Sequence, residues 1–165
     1  MMPRSMFRGR EMTTDTAFTH RVRRLAVISF IMLGVIALCA DQTTEAPPWV
    51  LGLLVLGWVT MPIVLAKSIA KPELRYALAG PAIAVSLGLV GLVAWWLPAG
   101  AAGLGWLLIT AGVLVGGGLG LWFWFRFVAV PRSLEDPFGW GRITLVAVHV
   151  ALVLGGLALI VSSFD

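Results

Sequence analysis

The sequence predicts an all-α polytopic membrane protein, a bundle of five transmembrane helices with its N-terminus in the cytoplasm and its C-terminus outside. Hydrophobic residues make up 59% of the 165 positions and charged residues only 12%, about half of the roughly 25% that is usual for a soluble domain. The apolar residues form five long runs. Every basic residue lies in the N-terminal tail or in a connection that five spans would place on the same side of the membrane. This composition excludes a soluble enzyme, a disordered tail and a disulfide scaffold.

Each predicted span is an uncharged apolar run near the length of about 20 residues that crosses a roughly 30 Å hydrocarbon core. In order, the runs cover residues 25–40, 46–66, 76–97, 103–125 and 143–164. The first run is short and follows the basic residues at 21–24, so it resembles a secretory signal peptide. Because Leu38 is large where cleavage requires a small residue, we expect an uncleaved helix. Translation from Met12 instead of Met1 stays open.

The distribution of charge orients the chain. All twelve basic residues lie in the N-terminal tail 1–24 or in the connections after the second and fourth spans: Arg4, Arg8, Arg10, Arg21, Arg23, Arg24, Lys67, Lys71, Arg75, Arg126, Arg132 and Arg142. The opposite side carries Asp41, Glu45 and Asp165. The positive-inside rule therefore places the tail in the cytoplasm and residues 25–165 in the membrane domain. Arginine outnumbers lysine ten to two, a weak compositional bias of the kind that a GC-rich bacterial genome produces. We expect a multi-pass protein of the bacterial cytoplasmic (inner) membrane.

Tryptophans near the span ends are typical of the aromatic belts that anchor a protein at the lipid headgroups. The outer ends carry Trp49, Trp95, Trp96 and Trp106, and the inner ends carry Trp122, Trp124 and Trp140. We predict that all of these side chains are interface anchors. Trp58 lies in the middle of the second span.

Small residues at every fourth position predict close helix packing in three spans, because they let neighbouring backbones approach. The sets are Gly80, Ala84 and Gly88; Gly112, Gly116 and Gly120; and Ala147, Ala151 and Gly155. We expect packing within the chain, with a homo-oligomer or partner interface as the alternative. The glycines at 116–118 predict a soft point in the fourth helix, and Pro62 is expected to kink the second helix or end it early.

His149 is the one Asp, Glu, His, Lys or Arg residue inside a predicted span. Its seven-residue spacing from Arg142 and Gly156 puts it on their face of the helix, so we expect it to point away from the Ala147–Ala151–Gly155 face. Three roles are open: a neutral imidazole bonded to a hydroxyl or carbonyl, a ligand of haem or a chlorophyll-type pigment, and a proton relay. A bis-histidine haem would need a second buried histidine, and His20 lies outside the first span.

The predicted spans contain no Asp, Glu, Lys or Arg, and no metal-binding constellation, nucleophile elbow or phosphate loop occurs in the sequence. We therefore expect no enzyme and no required cofactor, but a non-catalytic accessory, assembly or scaffolding subunit of a larger transport, respiratory or photosynthetic complex. Its expected partners are membrane lipids and other membrane subunits, with no nucleic acid. One alternative is a small homo-oligomeric transporter or channel lined by Ser29, Thr60, Ser86, Thr110 and His149. Another is a haem- or pigment-binding protein that uses His149.

Overall fold

The computed structural model describes residues 5–70, 72–118 and 139–164, and the elements in these ranges are helical. The α-helices are α1 (Ser5–Thr43), α2 (Pro48–Ala70), α3 (Ala79–Trp95), α4 (Gly100–Val113) and α5 (Gly139–Val161). A 3₁₀ helix, Pro72–Leu78, leads into α3, and a π-helical turn, Leu114–Gly118, continues α4. The predicted all-helical class is confirmed.

Five helical stretches among the described residues are long and apolar enough to cross a membrane. They cover Val22–Thr43, Pro48–Lys67, Tyr76–Trp95, Gly100–Gly117 and Thr144–Val161. Each measures between 18 and 22 residues, close to the length that a bilayer requires. Five apolar helices of this kind are consistent with a multi-pass membrane protein.

The first helix is longer than the first predicted span. It begins at Ser5 rather than at residue 25, so most of the predicted tail 1–24 belongs to the same helix as the first apolar stretch. No proline interrupts the chain between Ser5 and Thr43, and the helix ends shortly before Pro47. Pro48 then opens α2, where its missing N–H and fixed φ favour the first helical turn.

Pro62 does not end the second helix early, because α2 continues through it to Ala70. A proline inside a membrane helix is tolerated when neighbouring groups satisfy the backbone that it disturbs. Pro81 is the third residue of α3, where a missing N–H costs little. The fourth helix begins at Gly100, three residues before the predicted start. Residues 119–125 of that predicted span lie outside the described part of the chain.

One hydrophobic core joins the five helices near the end of the bundle that carries Asp41 and Glu45, here called the acidic end. Its buried members are Ile36, Ala37, Cys39, Ala40, Val50, Leu54, Val85, Leu89, Leu92, Trp106, Ile109, Val153 and Ile160. Within the bundle, α1 packs on α2, α2 on α3, and α4 on α5. The tight turn into α4 depends on Gly100, whose φ of +72° is a left-handed conformation that favours glycine.

Candidate functional site

The imidazole of His149 lies at the contact between α4 and α5. Its Nδ1 is 2.7 Å from the carbonyl oxygen of Gly112. Since a carbonyl oxygen can only accept, Nδ1 carries the proton and donates it. A neutral imidazole has a single N–H, so Nε2 is then unprotonated and keeps its lone pair. The interaction corresponds to the first of the three predicted roles, a histidine bonded to a carbonyl.

Two glycines of α4 make room for this histidine. A Cβ atom at Gly116 would overlap the imidazole ring, so only glycine fits there without a shift of the ring. At Gly112, a Cβ atom would lie 3.0 Å from Leu152 Cβ and 3.3 Å from the carbonyl oxygen of His149. Gly116 belongs to the π-helical turn Leu114–Gly118, which includes the three glycines predicted to be a soft point. Such turns insert an extra residue into a helix and are frequent at functional sites.

The backbones of α4 and α5 come closest at a glycine pair that the sequence pattern did not single out. A Cβ atom at Gly105 would lie 2.6 Å from the carbonyl oxygen of Gly156, and one at Gly156 would lie 2.5 Å from that of Gly105. These distances are shorter than any real Cβ contact. The pair therefore requires glycine on both helices.

The contact face of α5 differs from the one expected. Ala147 and Ala151 are exposed, and a Cβ atom at Gly155 would meet nothing within 4 Å. The face that packs on α4 carries His149 and Gly156 instead. His149 therefore points away from the Ala147–Ala151–Gly155 face and aligns with Gly156, as expected, but the contact with α4 is made by this face of His149 and Gly156 and not by the small-residue set.

The packing positions follow a spacing of alternating four and three residues. On α4 they are Gly105, Ile109, Gly112 and Gly116, and on α5 they are His149, Val153, Gly156 and Ile160. This is the heptad spacing of helices that cross at a shallow angle. A search for small residues at every fourth position detects only part of it.

The other small-residue set with described partners lies in α3. Ala84 is buried, and a Cβ atom at Gly88 would lie 2.9 Å from Leu54 Cδ2 and 3.3 Å from the carbonyl oxygen of Val50 on α2. Gly80 has open space around it. Gly57 on α2, absent from the predicted sets, faces Val85. Gly120 lies outside the described residues.

Trp106 is a core residue and not an interface anchor. Its side chain is 0% exposed, and its Nε1–H donates to Thr43 Oγ1 over 3.1 Å. The Thr43 hydroxyl in turn donates to the carbonyl oxygen of Cys39 over 2.6 Å. Trp106 therefore links α4 to the end of α1, and a polar indole is satisfied inside an apolar core.

The remaining predicted anchors on the described helices meet at the acidic end. Trp49 and Trp95 are 52% and 68% exposed. Trp96 is half-buried and contacts both rings, with centroid distances of 6.1 Å in each case. Trp122, Trp124 and the side chain of Trp140 lie outside the part of the chain that the structure describes.

Trp58, in the middle of α2, rests on α1. Its ring centroid lies 5.3 Å from that of Phe30. A Cβ atom at Gly34 would lie 3.0 Å from its Nε1, so Gly34 provides the space for the indole. The Nε1 atom is buried and has no hydrogen-bond partner within the described ranges.

Among residues 5–70, 72–118 and 139–164, no group of three or more His, Cys, Asp or Glu side chains could hold a metal ion. Over this part of the chain, the fold and the site define an all-helical protein with five membrane-length helices and a histidine held between two of them. No family model, curated protein or solved structure matches the chain.

Proposed function

We propose that this protein is a non-catalytic accessory, assembly or scaffolding subunit of a larger bacterial inner-membrane complex of the transport, respiratory or photosynthetic kind. The outward face of α5 supports this proposal most directly. Ala147 and Ala151 are exposed there, and Gly155 has open space, while the opposite face of the same helix packs on α4. In a membrane, small residues at this spacing favour contact with another helix.

The orientation that we propose places the acidic end outside and the N-terminal part of α1 in the cytoplasm. It rests on the positive-inside rule, since Arg23, Arg24 and Lys67 lie at one end of the apolar stretches Val22–Thr43 and Pro48–Lys67, while Asp41 and Glu45 lie at the other end. The exposed rings of Trp49 and Trp95 at the acidic end suit the outer headgroup level.

Cysteine labelling in intact cells tests this orientation. Glu45 and Lys67 are both exposed and stand at opposite ends of α2. In a Cys39→Ala background, we expect Glu45→Cys to react with a membrane-impermeant maleimide and Lys67→Cys to react only after the cells are opened. The reverse pattern would contradict the orientation.

Copurification tests the proposed role. We expect the wild-type chain, extracted in mild detergent, to carry other membrane subunits that native mass spectrometry identifies. Ala151→Leu puts a large side chain on the outward face of α5 and should lower their recovery about tenfold, which corresponds to about 1.4 kcal/mol of binding free energy. The matched control is Val150→Leu, because the adjacent residue is exposed but turned by about 100° around the helix.

The copurification experiment has two contradicting outcomes. Purification of the chain alone would contradict the subunit proposal, and homo-oligomers alone would favour the transporter or channel alternative. Two hydroxyls expected to line such a path bond to their own helices: Thr60 donates to the carbonyl oxygen of Leu56 over 2.5 Å, and Thr110 to that of Trp106 over 2.8 Å. These bonds give the path alternative no support.

A further inference from the structure

The geometry at the α4–α5 contact points to His149 as the axial ligand of a metal tetrapyrrole, a planar macrocycle of the haem type, bound through Nε2. This inference goes beyond the proposed subunit role and does not depend on it. It rests on the tautomer of the imidazole, on the way α4 holds the ring, and on the chemistry of the surrounding side chains.

The hydrogen bond to α4 prepares the imidazole for ligation. A histidine that binds a metal through one ring nitrogen usually donates the other N–H to a carbonyl or a carboxylate, which fixes the tautomer and raises the basicity of the ligating nitrogen. His149 makes this bond from Nδ1 to the Gly112 carbonyl oxygen over 2.7 Å. Its Nε2 has no hydrogen-bond partner among the described residues.

The glycines of α4 fix the direction of the ring. The imidazole fills the space where a Cβ atom of Gly116 would stand, so the ring lies close against the π-helical turn. Because Nδ1 faces the Gly112 carbonyl, Nε2 points away from that carbonyl. His149 is only partly buried, so part of its surface is accessible to a ligand.

The surroundings favour a macrocycle over a free metal ion. No cluster of three or more ligating side chains occurs within the described ranges, so these residues cannot build the coordination sphere of a bare ion. A tetrapyrrole supplies four nitrogen ligands itself and requires one axial base, for which imidazole is suited. The large exposed side chains next to His149 along the two helices are apolar, namely Leu114, Val115, Val146, Val148 and Val150, as a flat hydrophobic ligand requires.

Titration of the purified full-length chain in detergent micelles tests the proposal with two probes. Iron protoporphyrin represents haem, and zinc protoporphyrin, which accepts one axial ligand, represents magnesium pigments. We expect at least one probe to bind saturably, one per chain, with a Soret band shifted from its position in empty micelles. Binding of the iron probe alone would identify a haem site, and binding of the zinc probe would extend the site to magnesium pigments.

His149→Asn is the informative variant, because the asparagine amide can donate to the Gly112 carbonyl in place of Nδ1–H but offers nothing at Nε2. We expect it to remain folded, to lose the Soret shift and to bind the probe at least about tenfold more weakly. The matched control is His20→Asn, since His20 is exposed and precedes the apolar stretch Val22–Thr43 of α1. This control should bind like the wild type.

A second measurement keeps the test independent of folding of the variant. In ¹⁵N-histidine-labelled wild type, the free protein should show the Nδ1–H tautomer for one histidine, and zinc protoporphyrin should shift its Nε2 resonance while the His20 signals stay unchanged. A wild-type spectrum equal to that of empty micelles, wild-type binding by a folded His149→Asn variant, or an unchanged Nε2 resonance would each overturn the proposal.

Discussion

Replacing Gly156 with alanine is expected to destabilise the protein by about 1–3 kcal/mol, the usual cost of forcing extra atoms into a packed contact. The new Cβ atom would lie 2.5 Å from the carbonyl oxygen of Gly105 and 2.7 Å from Ile109 Cγ1. One of these neighbours is backbone, which cannot rotate away, so α5 must move off α4. Thermal unfolding or denaturant titration in micelles, followed by circular dichroism, measures the loss.

The adjacent glycine supplies a matched control for this experiment. A Cβ atom at Gly155 would meet nothing within 4 Å, and alanine is favoured over glycine inside a helix by up to about 1 kcal/mol. Gly155→Ala should therefore leave stability unchanged or raise it in the isolated chain. Equal destabilisation by the two variants would contradict the packing of α4 on α5 described above.

The reciprocal substitution makes the test more specific. Gly105→Ala places its Cβ atom 2.6 Å from the carbonyl oxygen of Gly156, so each variant alone already separates the two helices at the same point. The double variant should then cost less than the sum of the single variants, because residues in direct contact are coupled. Additive effects would indicate that the two glycines do not share one contact.

The five membrane-length helices were predictable because the composition of a span depends on the bilayer and not on its partners. Lipid cannot hydrogen-bond a backbone, so an uncharged run of sufficient length must be a helix. The bounds were less predictable. A helix continues until a residue stops it, and residues 5–24 contain no proline that would confine α1 to its apolar stretch.

The contacts between helices were harder to predict, because lipid and a neighbouring helix both accept an apolar face. A spacing of four residues identified Gly112, Gly116 and Gly88, which do meet other helices, but it also selected Ala147 and Ala151, which are exposed. Since alanine is a common residue in this sequence, its repeats carry little information. A heptad search that links Gly105 with Gly112 and His149 with Gly156 would have found the contact between α4 and α5.

For His149, the sequence identified the residue but not the group that it contacts. Its isolation among apolar residues singled it out as a site, because an ionisable group in a membrane is expensive and requires a partner. The sequence does not reveal which helix supplies that partner. The partner is the carbonyl oxygen of Gly112 on α4, at 2.7 Å. Every residue has such a backbone oxygen, so the residue type does not identify it; glycine only leaves it accessible.

Trp106→Ala is expected to have the largest effect on stability, a loss of about 3–5 kcal/mol, because it empties the site of the largest fully buried side chain among the described residues. The same substitution at Trp95, which is 68% exposed, is the matched control and should change the free energy of unfolding by less than about 0.5 kcal/mol. If Trp106 were an interface anchor like Trp95, both substitutions would have similarly small effects. Unfolding in micelles therefore decides whether Trp106 belongs to the core or to the lipid interface.

Removing the hydrogen bond of Trp106 separates its contribution to stability from the contribution of the buried ring. Trp106→Phe keeps an aromatic ring but removes the donor to Thr43 Oγ1, which lies 3.1 Å from Nε1. Hydrogen bonds between membrane helices contribute about 0.6 kcal/mol on average, so Thr43→Val should cost little once phenylalanine is present. The double-mutant cycle of Trp106→Phe and Thr43→Val measures the coupling energy between the two side chains. A coupling energy of about 0.6 kcal/mol would attribute most of the Trp106→Ala loss to packing. A coupling of several kcal/mol would show that the link between α1 and α4 is mainly polar.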